Sequence, residues 1–210
     1  MNDEYKFDVK RKRPEEIYSN VTAYYDKENI SKYANSKSLM RIQEKMTIRA
    51  LELLDLPEQK SLILDLGSGP GFVGMYLNEV GYKTVAVDII PDFLRYYNIK
   101  ELNPIIGDMC ILPFKPETFD AVISVSALQW VFRDIDSIRN KLALRNLARS
   151  LYSVLKSQSK AIFQFYPKSD MMMDSIGKMF IENAPFTGGF MIDNPTSPKK
   201  RKIYLILNKI

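Results

Sequence analysis

The stretch Leu64-Asp65-Leu66-Gly67-Ser68-Gly69-Pro70-Gly71 decides the reading of this chain. It ends SLILDL (61–66), an apolar run of the kind that forms a strand buried on both faces. It opens a helix expected over Phe72–Val80, which Gly81 ends. Glycines let the backbone turn sharply and approach a ligand with no Cβ in the way, so strand, glycine turn and helix in this order frame a binding site. A dinucleotide enzyme would cradle a diphosphate there. Here the strand ends in the carboxylate of Asp65, which suits an ammonium group, and the helix starts with the bulky Phe72 and Val73.

Outward from this stretch the pattern alternates. Thr84–Asp88 reads as a second strand, and Pro91 opens a helix at the first turn, where its missing N–H costs nothing. Asn103–Ile106 is a short third strand and Asp120–Val125 a fourth. A helix over Ile138–Leu155, a fifth strand over Lys160–Tyr166 and a helix over Ser169–Asn183 follow. Gly189–Asp193 and Ile203–Leu207, joined by a basic loop, suit an antiparallel hairpin. Upstream, Asp26 caps a short helix to Tyr33, and residues spaced by three and four predict a helix over Ser38–Leu54. The expected fold is α/β, a doubly wound Rossmann-like sheet of seven mostly parallel strands with a C-terminal antiparallel hairpin. Residues 21–210 form one domain in this reading, behind a charged arm over residues 1–20.

The 210 residues suffice for one sizeable core. The apolar runs are too short to span a bilayer, and the charged N-terminus is unlike a secretory signal, so no membrane is expected. The single cysteine, Cys110, fits a reducing compartment and a cytoplasmic location. There is no histidine, which removes the commonest general base and metal ligand; no metal is expected. The net charge of +5 is concentrated in Lys10–Arg13 and Lys199–Lys202, which are either solvated surface or a phosphate-contacting face.

Three acidic residues follow three successive strands, at the carboxyl edge where such sheets bind ligands. Asp88 can take both hydroxyls of a ribose, with Ile89 and Ile90 to pack on an adenine face. Asp108, beside Met109, can accept from an adenine amine. With Asp65, Gly67, Ser68, Gly69 and Gly71 these form an expected site for S-adenosylmethionine (SAM), to which Ser126 after the fourth strand and Tyr33 as a cover are added.

On these residues the chain resembles the class I SAM-dependent methyltransferases. Further stretches resemble one family within that class, the small-subunit ribosomal RNA guanine-N7 methyltransferases: RPEEIYS (13–19), YYDKENISKY (24–33), GDMCILPFKPETFDAVISVSALQWV (107–131), QFYPKS (164–169) and GGFMIDNPTSPKKRKIYL (188–205). The sequence lacks the basic tail of the eukaryotic members and suggests an archaeal-type, cytoplasmic homologue. The resemblance also implies a partner, a small zinc-binding activator subunit shared among several methyltransferases. The third strand is expected at a sheet edge, and Tyr97, Ile105 and Ile106 belong to the face such a partner would cover.

Guanine N7 carries an in-plane lone pair and no proton, so its methylation needs positioning and no general base, which a chain without histidine accommodates. Pyrimidine C5 chemistry needs a nucleophilic cysteine in a setting that Cys110 lacks. Exocyclic-amine methylation typically uses Asn-Pro-Pro-Tyr after the fourth strand, where this chain has Ser124-Val-Ser126-Ala-Leu-Gln129-Trp130. Trp130 either stacks on a purine or packs as a core aromatic; Gln129 either meets a base edge or caps a helix. Tyr166 and Pro167 after the fifth strand, Asn194 and Pro195 after the sixth, and Lys199, Lys200 and Arg201 are expected to flank the mouth for RNA. The alternatives are a small-molecule methyltransferase of the same fold, among enzymes, and a SAM-binding ribosome assembly factor with little catalysis, from another class.

Overall fold

A computed structural model describes residues 12–56, 60–97, 103–197 and 199–210. Lys10, Arg11, Pro57 and Ile99 lie outside the described residues. Among the described residues four helices precede the sheet: α1 (Pro14–Ile17), α2 (Val21–Tyr24), α3 (Lys27–Ala34) and α4 (Lys37–Leu54). Then come β1 (Leu62–Leu66), α5 (Phe72–Glu79), β2 (Lys83–Asp88), a 3₁₀ turn (Pro91–Tyr96), β3 (Pro104–Ile106) and β4 (Phe119–Val125). The chain continues through α6 (Leu128–Val131), α7 (Ile138–Val154), β5 (Leu155–Phe165), α8 (Asp170–Asn183), β6 (Phe186–Asp193) and β7 (Lys202–Lys209). The strands form one seven-stranded sheet in the order β3-β2-β1-β4-β5-β7-β6. The first five strands pair in parallel, and β7 inserts antiparallel between β5 and β6.

Successive side chains of a strand face opposite sides, so each central strand feeds two cores. Leu64, Leu66, Val122, Phe163 and Phe165 meet Leu144, Leu147 and Leu151 of α7 and Ile176 and Phe180 of α8. Ile63, Ile123 and Ile162 meet Met46, Ala50 and Leu54 of α4 and Val73 and Leu77 of α5. Each such fully buried leucine or isoleucine contributes about 1.5–3 kcal/mol of transfer free energy, and truncating Leu151 to alanine is expected to cost about 2–5 kcal/mol. A third, smaller core joins Ile30 of α3 to Phe93 of the 3₁₀ turn and to Tyr97.

Local chemistry sets the element ends. The Asp26 carboxylate accepts from the Asn29 amide at 2.8 Å, as its capping position predicts. Ser36 caps α4, which starts one residue before the expected position, and Asp55 in the left-handed region ends it. Lys209 Nζ, buried, donates to the carbonyls of Tyr152 and Leu155 at 2.9 and 2.6 Å. It satisfies the end of α7, so the chain passes straight into β5.

The structure differs from the sequence reading in three elements. The fifth strand starts at Leu155, before Lys160, because a bulge between its pairings with Phe119 and Ala121 hides the polar SQS segment. The hairpin strands are both longer than expected. Pro91 opens only a 3₁₀ turn, since Tyr97 returns to extended backbone and its side chain turns inward. Residues 12–20, part of the expected arm, lie against the domain: Arg13 Nη1 donates to the Tyr166 carbonyl and Arg133 Nη1 to that of Tyr18. Among the described residues no helix is long and apolar enough to cross a membrane.

Candidate active site

The carboxyl ends of β1, β2, β3 and β4 surround a cavity of about 270 Å³. Gly67 and Gly69 line it from the first loop, Val87 to Ile90 from the second, Gly107 to Cys110 from the third, and Val125 to Ala127 from the fourth. Asn20, Val21, Tyr25 and Tyr33 close it from the N-terminal helices, and Trp130, Arg133, Arg139 and Asn140 from beyond β4.

The glycine loop is held at each step. Gly67 has φ +72°, and a Cβ there would lie 2.3 Å from Ala127 Cβ, so the loop and the β4 exit touch only because the side chain is absent. The amides of Gly67 and Ser68 donate to the Val87 carbonyl at 2.8 and 3.2 Å. The Gly69 amide donates to Asp88 Oδ2 at 2.7 Å, and the Ile90 amide to Oδ1 at 2.8 Å. Each Asp88 oxygen keeps a lone pair for a hydroxyl in the cavity. Burial raises the Asp88 pKa, and the amides of Ile90, Gly69 and Ile89 oppose the rise. Ile89 is exposed above it.

Asp65, also on β1, is fully enclosed and neither oxygen makes a hydrogen bond of ordinary geometry. Burial, and then the charge on Asp88, push its carboxyl up to about 8, against a pull from the Gly74 backbone. Asp65, Ser68 and Gly71 are not part of the cavity wall. Ser68 donates its hydroxyl to that of Tyr97, because the Tyr97 proton goes to the Gly69 carbonyl at 2.6 Å. Gly71, at φ +89°, starts α5.

Tyr33 lines the cavity over Gly69, and its hydroxyl accepts from Gln43 Nε2 at 2.9 Å. Burial pushes its pKa up to about 12. Asp108 Oδ1 accepts from the Cys110 amide at 2.9 Å, and burial pushes the Cys110 thiol up. Ser126 sits at φ +60°, with its amide on the Gln164 carbonyl at 2.8 Å and its hydroxyl on Gln164 Oε1 at 3.0 Å.

Gln129 fits neither reading: Nε2 donates to the Ser126 carbonyl at 2.8 Å, no side chain caps the start of α6, and the residue is off the cavity wall. Trp130 is on the wall with one face stacked on Tyr24, centroids 5.6 Å apart and 26° between planes.

The expected RNA-side residues are not gathered at the cavity. The Tyr166 ring packs between Arg13 and Lys202, whose Nζ donates to its hydroxyl, and Pro167 beside it is buried. The loop holding Asn194, Pro195, Lys199, Lys200 and Arg201 reaches the same sheet edge above β6 and β7, because β7 runs against β5. Lys199 and Lys200 are exposed, whereas Arg201 donates to the Pro195 carbonyl. At the other end β3 is the sheet edge, as expected, with Ile106 52% exposed and Ile105 half-buried. Tyr97 is a correction: it is 9% exposed and turned under the glycine loop, so it belongs to the interior and offers no docking face.

Asn20, Arg133, Arg139 and Asn140 were not foreseen. Only Arg139 carries a sequence signal, a basic side chain in the first turn of α7, where the helix dipole favours acids.

The residues present fit SAM on two counts: Gly67 leaves no room for a side chain where the loop lines the cavity, and Asp88 offers two acceptors to a diol. The comparisons agree. Residues 64–163 match the model of a methyltransferase domain. The bovine 18S rRNA (guanine-N(7))-methyltransferase is 40% identical over 206 residues, 94% of this chain and 72% of that one. The Schizosaccharomyces pombe enzyme of the same name is 36% identical over 93% of this chain and 74% of its own. Among solved structures, a Pyrococcus horikoshii protein superposes with a TM-score of 0.66 at 19% identity, covering 89% of this chain and all of that one. The N-methyltransferase NodS from Bradyrhizobium japonicum, in complex with S-adenosylhomocysteine, gives 0.63 at 12% identity, covering 87% of this chain and 97% of its own. The chain is a class I SAM-dependent methyltransferase and belongs to the family of the 18S rRNA (guanine-N7)-methyltransferases.

Proposed function

We propose that this chain methylates guanine N7 in small-subunit ribosomal RNA. The observation that carries this is a cavity with a built cofactor half and, among the described residues, no poised base. Asp88 is engaged by backbone amides and Asp108 by Cys110, burial raises the tyrosine pKa values, and the Cys110 thiol is held protonated. A nucleophile that must lose a proton finds no help here, whereas guanine N7 needs none. SAM, when bound, supplies a methyl group on a sulfonium. The chain's part is to hold SAM by Asp88 and Asp108, to exclude water with Tyr33 and Tyr25, and to present the base beside Trp130.

Methyl transfer from labelled SAM to isolated small subunits, followed by nucleoside mass spectrometry, tests this. 7-Methylguanosine is expected. N6-methyladenosine or 5-methylcytidine would sink it, and binding of SAM and subunits without transfer would favour an assembly factor.

The β3 edge supports the partner reading. A three-residue strand with Pro104 and the exposed Ile106 leaves an unpaired edge suited to strand addition by a small zinc-binding activator subunit, to which the zinc would belong. In a co-expressed complex, Ile106→Asp should release the partner while SAM binding persists. The single buried thiol agrees with work in the cytoplasm.

A further inference from the structure

The cavity is electrically divided. Asp88 and Asp108 line it after β2 and β3, while Arg133 and Arg139 stand on the wall beyond β4. SAM carries a sulfonium and an ammonium against one carboxylate, so the acidic half suits it and the guanidinium half opposes its net charge. The basic half calls for a different, anionic guest. We propose that Arg133 and Arg139 are a phosphate-binding site for the target nucleotide, holding the backbone while the base enters the cavity. This rests on the RNA reading above and names which residues grip the substrate.

Four observations support it. Asn140 Oδ1 accepts from the amides of Arg133 and Asp134 at 2.8 and 3.0 Å, which folds the loop onto the first turn of α7 and sets both arginines on one rim. Arg139 is exposed there, with no hydrogen bond or ion pair among the described residues. No acidic residue occupies that first turn, so Arg139 stands there against the helix dipole. Arg133 spends Nη1 on the Tyr18 carbonyl at 3.0 Å, while its Nε is buried without a partner. A guanidinium has five donors, so several remain for a phosphate. Asp134, on the same loop, accepts from the Asp136 amide at 2.9 Å, and neither carboxylate pairs with either arginine among the described residues.

Across the sheet edge, Lys199 and Lys200 rise above β6 and β7, two to three strand spacings from the β4 exit, or about 10–15 Å. A strand of RNA laid over the edge meets positive charge at the cavity rim beyond β4 and again above β6 and β7.

The test compares the full chain with Arg139→Gln, using a short fluorescent single-stranded RNA with one central guanosine. The variant should bind it about tenfold more weakly at low salt. The slope of log affinity against log salt should fall by about 0.7, one lost phosphate contact, with SAM affinity by calorimetry unchanged. Unchanged RNA affinity and slope would overturn the proposal. So would a loss of SAM affinity alone, which would assign Arg139 to the cofactor carboxylate. Wild-type methyl transfer to small subunits, run in parallel, separates the two readings: if it fails while Arg139→Gln still loses its salt slope, the phosphate site stands and the methylation reading falls.

Discussion

The phenolic hydroxyl of Tyr97 donates to the Gly69 carbonyl at 2.6 Å, from beneath the loop whose amide at the same residue donates to Asp88. Gly69 is thus held at its amide by Asp88 of β2 and at its carbonyl by Tyr97, just past the 3₁₀ turn. Tyr97→Phe removes one oxygen and leaves a buried carbonyl unpaired, a cost of about 1–3 kcal/mol. The expected result is a lower melting temperature and SAM binding weakened several-fold, by calorimetry. Wild-type SAM affinity in this variant would mean that the loop holds its shape without the tyrosine.

Asp88→Ala should weaken SAM binding far more. It removes acceptors for a ribose and orphans the amides of Gly69 and Ile90. Charge-assisted hydrogen bonds contribute about 1.5–3 kcal/mol each, so a loss of at least tenfold is expected by titration calorimetry, with Asp88→Asn in between. An unchanged dissociation constant would remove Asp88 from the site.

Asp65 gives the ligand-free chain a pH dependence. Its folded-state pKa is raised from 3.8 to about 8. Between these values the folded chain holds a proton that the unfolded chain has lost, so its contribution falls as pH rises through that window. Asp65→Asn cannot titrate. Its melting temperature, relative to wild type, should climb from pH 4 to pH 8 in the absence of SAM. Parallel melting curves across that range would show that the carboxylate is not strained by burial.

Lys199→Gln with Lys200→Gln should leave SAM binding intact and reduce the salt slope of RNA binding by about 0.7 per contact. Both side chains are exposed, on a loop held from within by Arg201, so the fold should be unaffected. A slope equal to wild type would return this cluster to solvated surface.

Most of the fold was legible because buried parallel strands and glycine turns write themselves into short apolar runs, as in SLILDL and LDLGSGPG. The bulge in β5 was not, because Ser157, Gln158 and Ser159 read as loop until the strand pairing is known. The cofactor half was legible for a related reason: Asp88, Gly67 and Asp108 lie at strand ends, which sequence locates. Arg133, Arg139 and Asn20 reach the cavity only through tertiary packing of α7 and the N-terminal helices. Tyr97 was misread because an aromatic in a hydrophobic run looks the same from the sequence whether it faces outward or under a loop.

Trp130 is the only tryptophan in the chain, and it stands on the cavity wall against Tyr24. Light absorbed by tryptophan alone is therefore re-emitted from a single known point beside the site. A guest that parts the Tyr24 ring from the indole, or dries its surroundings, shifts the colour and yield of that emission. The protein carries its own optical reporter, and the order in which its two guests arrive can be followed by stopped-flow without a label.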